Sequence, residues 1–107
     1  MNIQEEKNNQ INVMLSQLGG KRFMVMTGSK PQYKDTTDNP LIAFKLVKNT
    51  SKANYMKLSY ISGLDLYTME FVRATAKDFS IVNTYEGLSC DMLQSVFTKQ
   101  TGLYTKL

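Results

Sequence analysis

The first part of the chain carries apolar residues at the spacing of an amphipathic helix. Four of them lie at i, i+3, i+4 and i+7, in one stripe of a helix with 3.6 residues per turn: Ile11, Met14, Leu15 and Leu18. The pair Gly19-Gly20 follows, and glycine adopts the left-handed conformation that ends many helices at little steric cost. The pattern predicts a helix over Ile3–Leu18.

After Gly20 the period changes from 3.6 to 2, which is typical of strands. We predict five strands: Arg22–Thr27, Leu41–Lys48, Ala53–Ile61, Leu66–Ala74 and Phe79–Tyr85. Both faces of Arg22–Thr27 are largely apolar, so this segment is predicted to be an interior strand. Gly28–Pro40 contains both prolines of the chain, and we predict an irregular loop of a length that is often functional.

The end of the chain has the signals of a second helix. Ser89 is a favourable N-cap residue, and Leu88 and Leu93 take the positions of a hydrophobic staple around it. An apolar stripe follows, formed by Met92, Leu93, Val96 and Phe97. Gly102 suits the left-handed position after the helix. We expect the closing residues 103–107 to pack back onto the core.

Helix, five strands and helix, in this order, predict an α+β domain of two layers. The turns between the later strands are short, which favours a mostly antiparallel meander, because parallel pairs need crossovers of a dozen or more residues. At 107 residues the chain is expected to form a single domain, 1–107. Both helices are expected to cover one face of the sheet. The opposite face is then open, which calls for solvation, self-association or a ligand.

Composition narrows the range of functions. The chain has no His and one Cys, which excludes a His general base, a His-containing zinc site and an internal disulfide. It also lacks a complete nucleotide-binding loop, so we predict a non-enzymatic protein without cofactor or metal. Neither a secretory signal nor a membrane span is visible, and the lone Cys90 suits a reducing compartment. A cytoplasmic protein is expected.

Positive charge is concentrated in the middle of the chain. The segment 21–57 has eight Lys or Arg and two Asp, a net charge of +6, whereas the whole chain carries +4. Lysines beside tyrosines on a sheet offer phosphate pairing and base stacking. The candidate residues for binding nucleic acid or another partner are therefore Arg22, Lys30, Lys34, Lys45, Lys48, Lys52, Tyr55 and Lys57. We expect Lys45 and Lys57 to share the open face beside Tyr55, while the alternative is that the lysines only solubilise the sheet and protect its edges.

Three further features carry weaker chemical signals. Thr27–Lys30 faintly resembles a phosphate-binding loop, but it lacks the full GxxxxGK[ST] string, and a structural turn is the stronger interpretation. Cys90 falls at the start of the last helix, where a helix dipole activates thiols, although a small residue at a helix start is the simpler account. The scattered acids suit caps and turns better than a catalytic carboxylate pair or a two-metal site.

Five sequence blocks, taken together, resemble a known group of proteins. They are LGGKRFMVMTGSK at 18–30, FKL at 44–46, NYMKLSY at 54–60, DLYTMEF at 65–71 and DMLQSVFTKQTGLYTKL at 91–107. These blocks resemble small, largely uncharacterised proteins encoded by tailed phages, prophages and other mobile elements. The resemblance implies an accessory protein acting in the cytoplasm of a bacterial host, and it implies no activity and no site residues.

Two hypotheses of function remain. The first is an accessory protein that binds nucleic acid through the basic early strands and the loop between them, with Lys30, Lys45, Lys48 and Lys57 on phosphates and Tyr55 stacking on a base. The alternative is a protein-targeting inhibitor of a host defence system, anti-CRISPR-like or another anti-defence factor. Such an inhibitor would dock on a host protein or nucleoprotein complex by the open face or an edge of the sheet. A homodimer through the sheet face is a further expectation, and no membrane partner is expected.

Overall fold

The computed structural model describes residues 3–35 and 39–103, with side chains from residue 11 onward. The expected packing of residues 104–107 lies outside this range. The described residues form these helices and strands: α1 Ile3–Leu18, α2 Gly20–Thr27, β1 Lys30–Asp35, β2 Leu41–Lys45, β3 Tyr55–Ile61, β4 Leu66–Ala74, β5 Phe79–Leu88 and α3 Leu93–Thr101. A single 3-10 turn, Cys90–Met92, leads into α3. Among the described helices, none has the length and apolar character needed to cross a membrane.

The strands form one sheet in sequence order, β1-β2-β3-β4-β5. Each strand is antiparallel to its neighbours, which confirms the predicted meander. The register places Ile42 opposite Leu58 and Leu58 opposite Met69. Because side chains alternate between the two faces of a strand, these three residues point to the same face. β1 and β5 are the two edges of the sheet.

The helices cover one face of the sheet, as predicted. They contribute these buried core residues: Ile11, Met14, Leu18, Phe23, Leu93 and Phe97. The sheet contributes Ile42, Phe44, Met56, Leu58, Tyr67, Met69, Phe71 and Leu88. The Phe97 ring of α3 lies 4.9 Å from the Phe23 ring of α2 and 6.1 Å from the Phe71 ring of β4, between centroids. The other face is open, and the α+β class with two layers is confirmed.

The segment predicted as the first strand, Arg22–Thr27, belongs instead to helix α2. Phe23 and Thr27 are buried at a spacing of four residues, whereas Val25 between them is 71% exposed. A strand would place all three on the same face, while a helix turns Val25 to the opposite side. The prediction of an interior strand is therefore wrong. Over such a short apolar run both periods fit, and packing against the core decides for the helix.

The predicted loop Gly28–Pro40 contains a strand. β1 pairs with β2 across a bulge between Pro31 and Tyr33. Four of the six β1 residues are exposed, so the strand lacks the apolar alternation by which sequence patterns indicate strands. Pairing with the backbone of β2 holds β1 in the sheet. The sheet thus reaches five strands through β1 and not through the segment predicted as the first strand.

The C-terminal helix follows its predicted apolar stripe and C-cap, with differences at its start. Ser89 precedes the 3-10 turn rather than α3 and makes no side-chain capping hydrogen bond, because its hydroxyl donates to Asp91, and Met92 takes the N-cap position of α3. Gly102 caps α3 with φ +76°, and its N–H donates to the carbonyl oxygen of Thr98 at 2.8 Å. Leu93 and Phe97 are fully buried, as the apolar stripe predicts. Met92 is 42% exposed, because it lies in the 3-10 turn before α3 and points away from the core.

Strand ends differ from the prediction by two or three residues. β2 ends at Lys45 rather than Lys48, and β3 begins at Tyr55 rather than Ala53. β5 continues past Tyr85 to Leu88. The residues between β2 and β3 form a compact turn, and this turn brings several basic side chains to one end of the sheet.

Candidate nucleic-acid interface

Three of the predicted binding residues lie side by side on the open face. The register pairs Lys30 of β1 with Lys45 of β2, and Lys45 with Tyr55 of β3. Directly opposed residues in antiparallel strands point to the same face, with Cβ atoms about 5 Å apart. Two lysines and a tyrosine thus form a continuous row at the end of the sheet where the chain leaves β2.

Two adjoining grooves open at this end. Their volumes are about 530 Å³ and about 360 Å³, and both are lined by Leu46 and Val47. We refer to the cationic residues that line them as the basic end of the sheet: Lys30, Lys45, Lys48, Lys52 and Arg73. Among the described residues, no acidic side chain lines either groove. The local charge is therefore of one sign.

The side chain of Asn49 shapes the turn that carries Lys48 and Lys52. Its Nδ2 donates to the carbonyl oxygens of Val47, at 2.7 Å, and Ala53, at 2.9 Å. These two bonds close the turn across its base, as Asn side chains commonly do. Lys52 has a left-handed φ of +69°. The two lysines are thus attached to a turn that two side-chain hydrogen bonds of Asn49 connect across its base.

Arg73 belongs to the basic end although the sequence did not point to it. Tyr55 lies opposite Val72 in the register, so Arg73, the next residue of β4, lies at the same end of the sheet but points to the face opposite that of Lys30, Lys45 and Tyr55. Its Nη1 donates to the carbonyl oxygen of Lys52 at 3.0 Å, which ties β4 to the turn. The sequence signal that could have placed Arg73 at this end was the β3–β4 hairpin, because a short turn fixes which residues of its two strands lie opposite each other.

Lys57 also lies on the open face, but the carboxylate of Glu70 lies beside it. Its register partner Ala43 lies two residues from Lys45, which confirms that the two lysines share this face. The Nζ atom of Lys57 is 4.0 Å from a carboxylate oxygen of Glu70 and 5.3 Å from the centroid of the Phe79 ring. Glu70 offsets part of the Lys57 charge, so this residue attracts anions less than the basic end does.

The other two predicted residues lie elsewhere. Arg22 is exposed on α2, in the helical layer, next to the buried Phe23. Lys34 lies toward the far end of β1, opposite Ile42 of the core. Neither residue lines the grooves at the basic end. The structure therefore brings some of the predicted binding residues together at the basic end and places Arg22 and Lys34 away from it.

The faint phosphate-loop signal falls on the end of helix α2. Gly28 caps the helix with φ +70°, and its N–H donates to the carbonyl oxygen of Met24 at 2.9 Å. The buried hydroxyl of Thr27 donates to the carbonyl oxygen of Phe23 at 2.7 Å. Phosphates bind at helix N-termini, where N–H groups are free, whereas a helix C-terminus carries partial negative charge. The structural-turn interpretation is the one that fits.

A separate cleft of about 330 Å³ lies beside the exposed, free Cys90. Tyr60 and Tyr67 line it, with ring centroids 5.3 Å apart. The hydroxyl of Tyr60 donates to Asp65, and this hydrogen bond raises the pKa of Tyr60. Burial raises the pKa of Tyr67 to about 12. Within the described ranges, no group of three or more Cys, Asp or Glu is placed to hold a metal ion.

A comparison of the chain with protein-family models, curated proteins and solved structures finds no match. The assignment of function therefore rests on where the fold places the charged and aromatic side chains.

Proposed function

We propose that this protein is a non-enzymatic accessory protein that binds nucleic acid through the basic end of its sheet. One observation carries the proposal: five cationic side chains line two adjoining grooves that no described acidic residue lines. Grooves lined by one sign of charge focus the electrostatic field and attract polyanions. The resemblance to proteins of phages and mobile elements supplies the proposed setting, the cytoplasm of a bacterial host.

The chemistry of the basic end suits a phosphate backbone. Lysines act as mobile point charges toward phosphate, and the fork of an arginine contacts two phosphate oxygens at once. Lys30 and Lys45 are exposed, and they pair with each other in the register rather than with an acid. Arg73 is exposed as well, and its bond to the Lys52 carbonyl leaves further N–H groups for a ligand.

Tyr55 lines neither groove, but it adds a stacking position beside Lys45, which does. It is half-buried and lies between Lys45 and Val72 in the row across the sheet. Stacking of a base on an aromatic ring contributes about 1–3 kcal/mol. We expect Tyr55→Leu to weaken binding about tenfold, within this range, and Tyr55→Phe to bind like the wild type.

The test is a titration of fluorescently labelled single-stranded DNA, single-stranded RNA and duplex DNA at increasing salt, followed by anisotropy. The double variant Lys30→Glu/Lys45→Glu removes two contacts, and we expect at least about tenfold weaker binding at low salt. For a single strand, its slope of log K against log salt is expected to fall by about 1.4, since each phosphate contact adds about 0.7. The control Arg22→Glu/Lys34→Glu makes the same change in net charge and is expected to keep the slope.

Two outcomes would contradict the proposal. The first is no binding of any probe at low ionic strength. The second is an equal loss in both double variants, which would assign the interaction to net charge rather than to the basic end. All four substituted residues are exposed, so both variants are expected to fold.

The open face favours a second candidate function, docking on a protein as an inhibitor of a host defence system. Besides its charged residues, this face carries apolar side chains that are half-buried: Leu41, Ala43, Ile61 and Leu66. Capture with the tagged chain from nuclease-treated bacterial extract, followed by mass spectrometry, separates the two candidates. One stoichiometric protein partner supports the inhibitor, whereas recovery of nucleic acid alone from untreated extract supports the first proposal.

A further inference from the structure

The two edges of the sheet differ in how they are protected. Both edge strands contain bulges, one in β1 and two in β5, but β1 also carries Lys30, Pro31 and Lys34. Lysine, proline and bulges are the devices by which natural proteins prevent one sheet edge from pairing with another. The opposite edge, β5, has no charged residue and no proline over the seven residues 79–85.

The uncharged part of β5 is also apolar and accessible. Phe79 is 58% exposed, Ile81 is 57% exposed and Val82 is 37% exposed. Among the described residues, β5 pairs on one side with β4 and no strand lies on its other side, so N–H and C=O groups along this edge are accessible to a further strand. Two bulges in β5, one at Val82 and one between Tyr85 and Leu88, increase the twist of the strand, but neither adds charge or proline within residues 79–85.

We infer that β5 is a dimerisation edge, at which two copies of this chain pair antiparallel around a two-fold axis. In such a pairing the same segment meets itself in the opposite direction, so charged residues near its centre would lie close to their own copies. The uncharged segment 79–85 avoids this repulsion, whereas β1 paired with itself would bring lysines together. This inference does not depend on the proposed nucleic-acid function.

The charges that flank the segment also fit a second copy. Lys77 and Asp78 precede β5 and Glu86 lies near its end, and all three are exposed; the register described next places Asp78 opposite the uncharged Tyr85. Antiparallel pairing centred between Ile81 and Val82 places residue 77 of one copy opposite residue 86 of the other. Each dimer then gains two contacts of opposite charge. The two sheets become one continuous sheet with both open faces on the same side and the two basic ends at opposite ends.

The first test is the mass of the wild-type chain in solution, by light scattering and analytical ultracentrifugation from low micromolar to near millimolar concentration. We expect a reversible dimer of twice the chain mass. Ile81→Lys places lysines close together across the axis and is expected to raise the dimer dissociation constant at least about tenfold. The control Val25→Lys changes an aliphatic residue that is 71% exposed on α2, and it is expected to dimerise like the wild type.

A charge swap tests the register directly. Lys77→Glu and Glu86→Lys each create like-charge contacts in a two-fold dimer, so each is expected to weaken dimerisation. The double variant Lys77→Glu/Glu86→Lys reverses both charges and is expected to restore it. Hydrogen exchange gives an independent measurement that needs no variant: the protection of β5 amides is expected to rise with protein concentration, while that of β1 amides stays constant.

A wild-type chain that stays monomeric over the whole range of concentration overturns the inference. So does a dimer that Ile81→Lys leaves intact, because that result assigns the contact to the open face or to another surface. Oligomers that grow without limit as concentration rises would also contradict a closed two-fold pairing. The register would be rejected if the single variants weakened dimerisation and the double variant Lys77→Glu/Glu86→Lys did not restore it.

Discussion

At the scale of single residues, Tyr67 links burial to pH. Its side chain is 4% exposed, and burial raises its pKa from 10.0 to about 12. Between these values the unfolded chain loses the phenolic proton while the folded chain keeps it. The contribution of Tyr67 to the stability of the folded state is therefore fully present below pH 10 and is lost as the pH rises toward 12. Since one pKa unit corresponds to about 1.4 kcal/mol, we expect this group to lower the free energy of unfolding by about 2–3 kcal/mol across the window.

The variant Tyr67→Phe keeps the ring and removes the titrating group, which separates this effect from the lysines and tyrosines that titrate in the same range. Denaturant unfolding of both proteins at a series of pH values gives the difference in free energy of unfolding. We expect this difference to change with pH in the direction that disfavours the wild type above pH 10. A difference that stays constant across the window would show that the pKa of Tyr67 is the same in the folded and unfolded chains.

Sequence reasoning identified part of the basic end, and the reason is physical. The density of lysine in residues 21–57 pointed to four of its five members, because local charge is visible in a sequence. Arg73 was missed, since only the β3–β4 register brings it to the turn. Arg22 and Lys34 were included, although one lies on a helix and the other toward the far end of β1. The placement of a side chain around the sheet depends on contacts distant in sequence.

At the scale of elements, α3 and α2 show when a pattern is decisive. α3 was predictable because independent signals agree on its position, namely the buried stripe of Leu93 and Phe97 and the capping Gly102, although the predicted N-cap Ser89 lies before the 3-10 turn. α2 has only eight residues, and it lies between two glycine caps, Gly19 and Gly28. Glycine is also frequent at the turns between strands, so these caps do not distinguish a helix from a strand. Two turns of helix are too short for the hydrophobic period to be recognised, so tertiary packing determines the secondary structure of α2.

The end of α2 gives a prediction about backbone strain. Gly28 has φ +70°, and a Cβ atom added there would lie 2.7 Å from Cγ1 of Val47. A residue other than glycine loses about 1–2 kcal/mol in the left-handed region, and the overlap with a branched side chain adds to this. We expect Gly28→Ala to lower the free energy of unfolding by about 2–3 kcal/mol, measured by denaturant titration.

Two other glycines provide matched controls. Gly20 has φ +60° with nothing within 4 Å of an added Cβ, so Gly20→Ala carries only the conformational term of about 1 kcal/mol. Gly63 is outside the left-handed region and equally open, so Gly63→Ala is expected to be neutral or slightly stabilising. Equal losses for Gly28→Ala and Gly20→Ala would show that the contact with Val47 relaxes without cost.

At the scale of the whole molecule, the two-layer α+β architecture could be predicted because its central strands alternate clearly. β3 and β4 have polar residues such as Lys57 and Glu70 on one face and core residues such as Leu58 and Met69 on the other. Short turns then dictate antiparallel neighbours. The edge strand β1 was missed for the opposite reason, since none of its side chains belongs to the core. A strand held by backbone pairing leaves little trace in the hydrophobic pattern.

The same difference between edge and centre predicts a gradient of local stability across the sheet. β3 and β4 have neighbours on both sides and supply buried side chains such as Met56 and Phe71, whereas within the described ranges β1 pairs with β2 alone and supplies no buried core residue. Local opening is easier where little apolar surface is exposed by it. In native-state hydrogen exchange, we expect the paired amides of β3 and β4 to exchange only through global unfolding. The paired amides of β1 should exchange at least about a hundredfold faster. Equal protection of β1 and β3 at high dilution would contradict this gradient and show that backbone pairing alone secures the β1 edge.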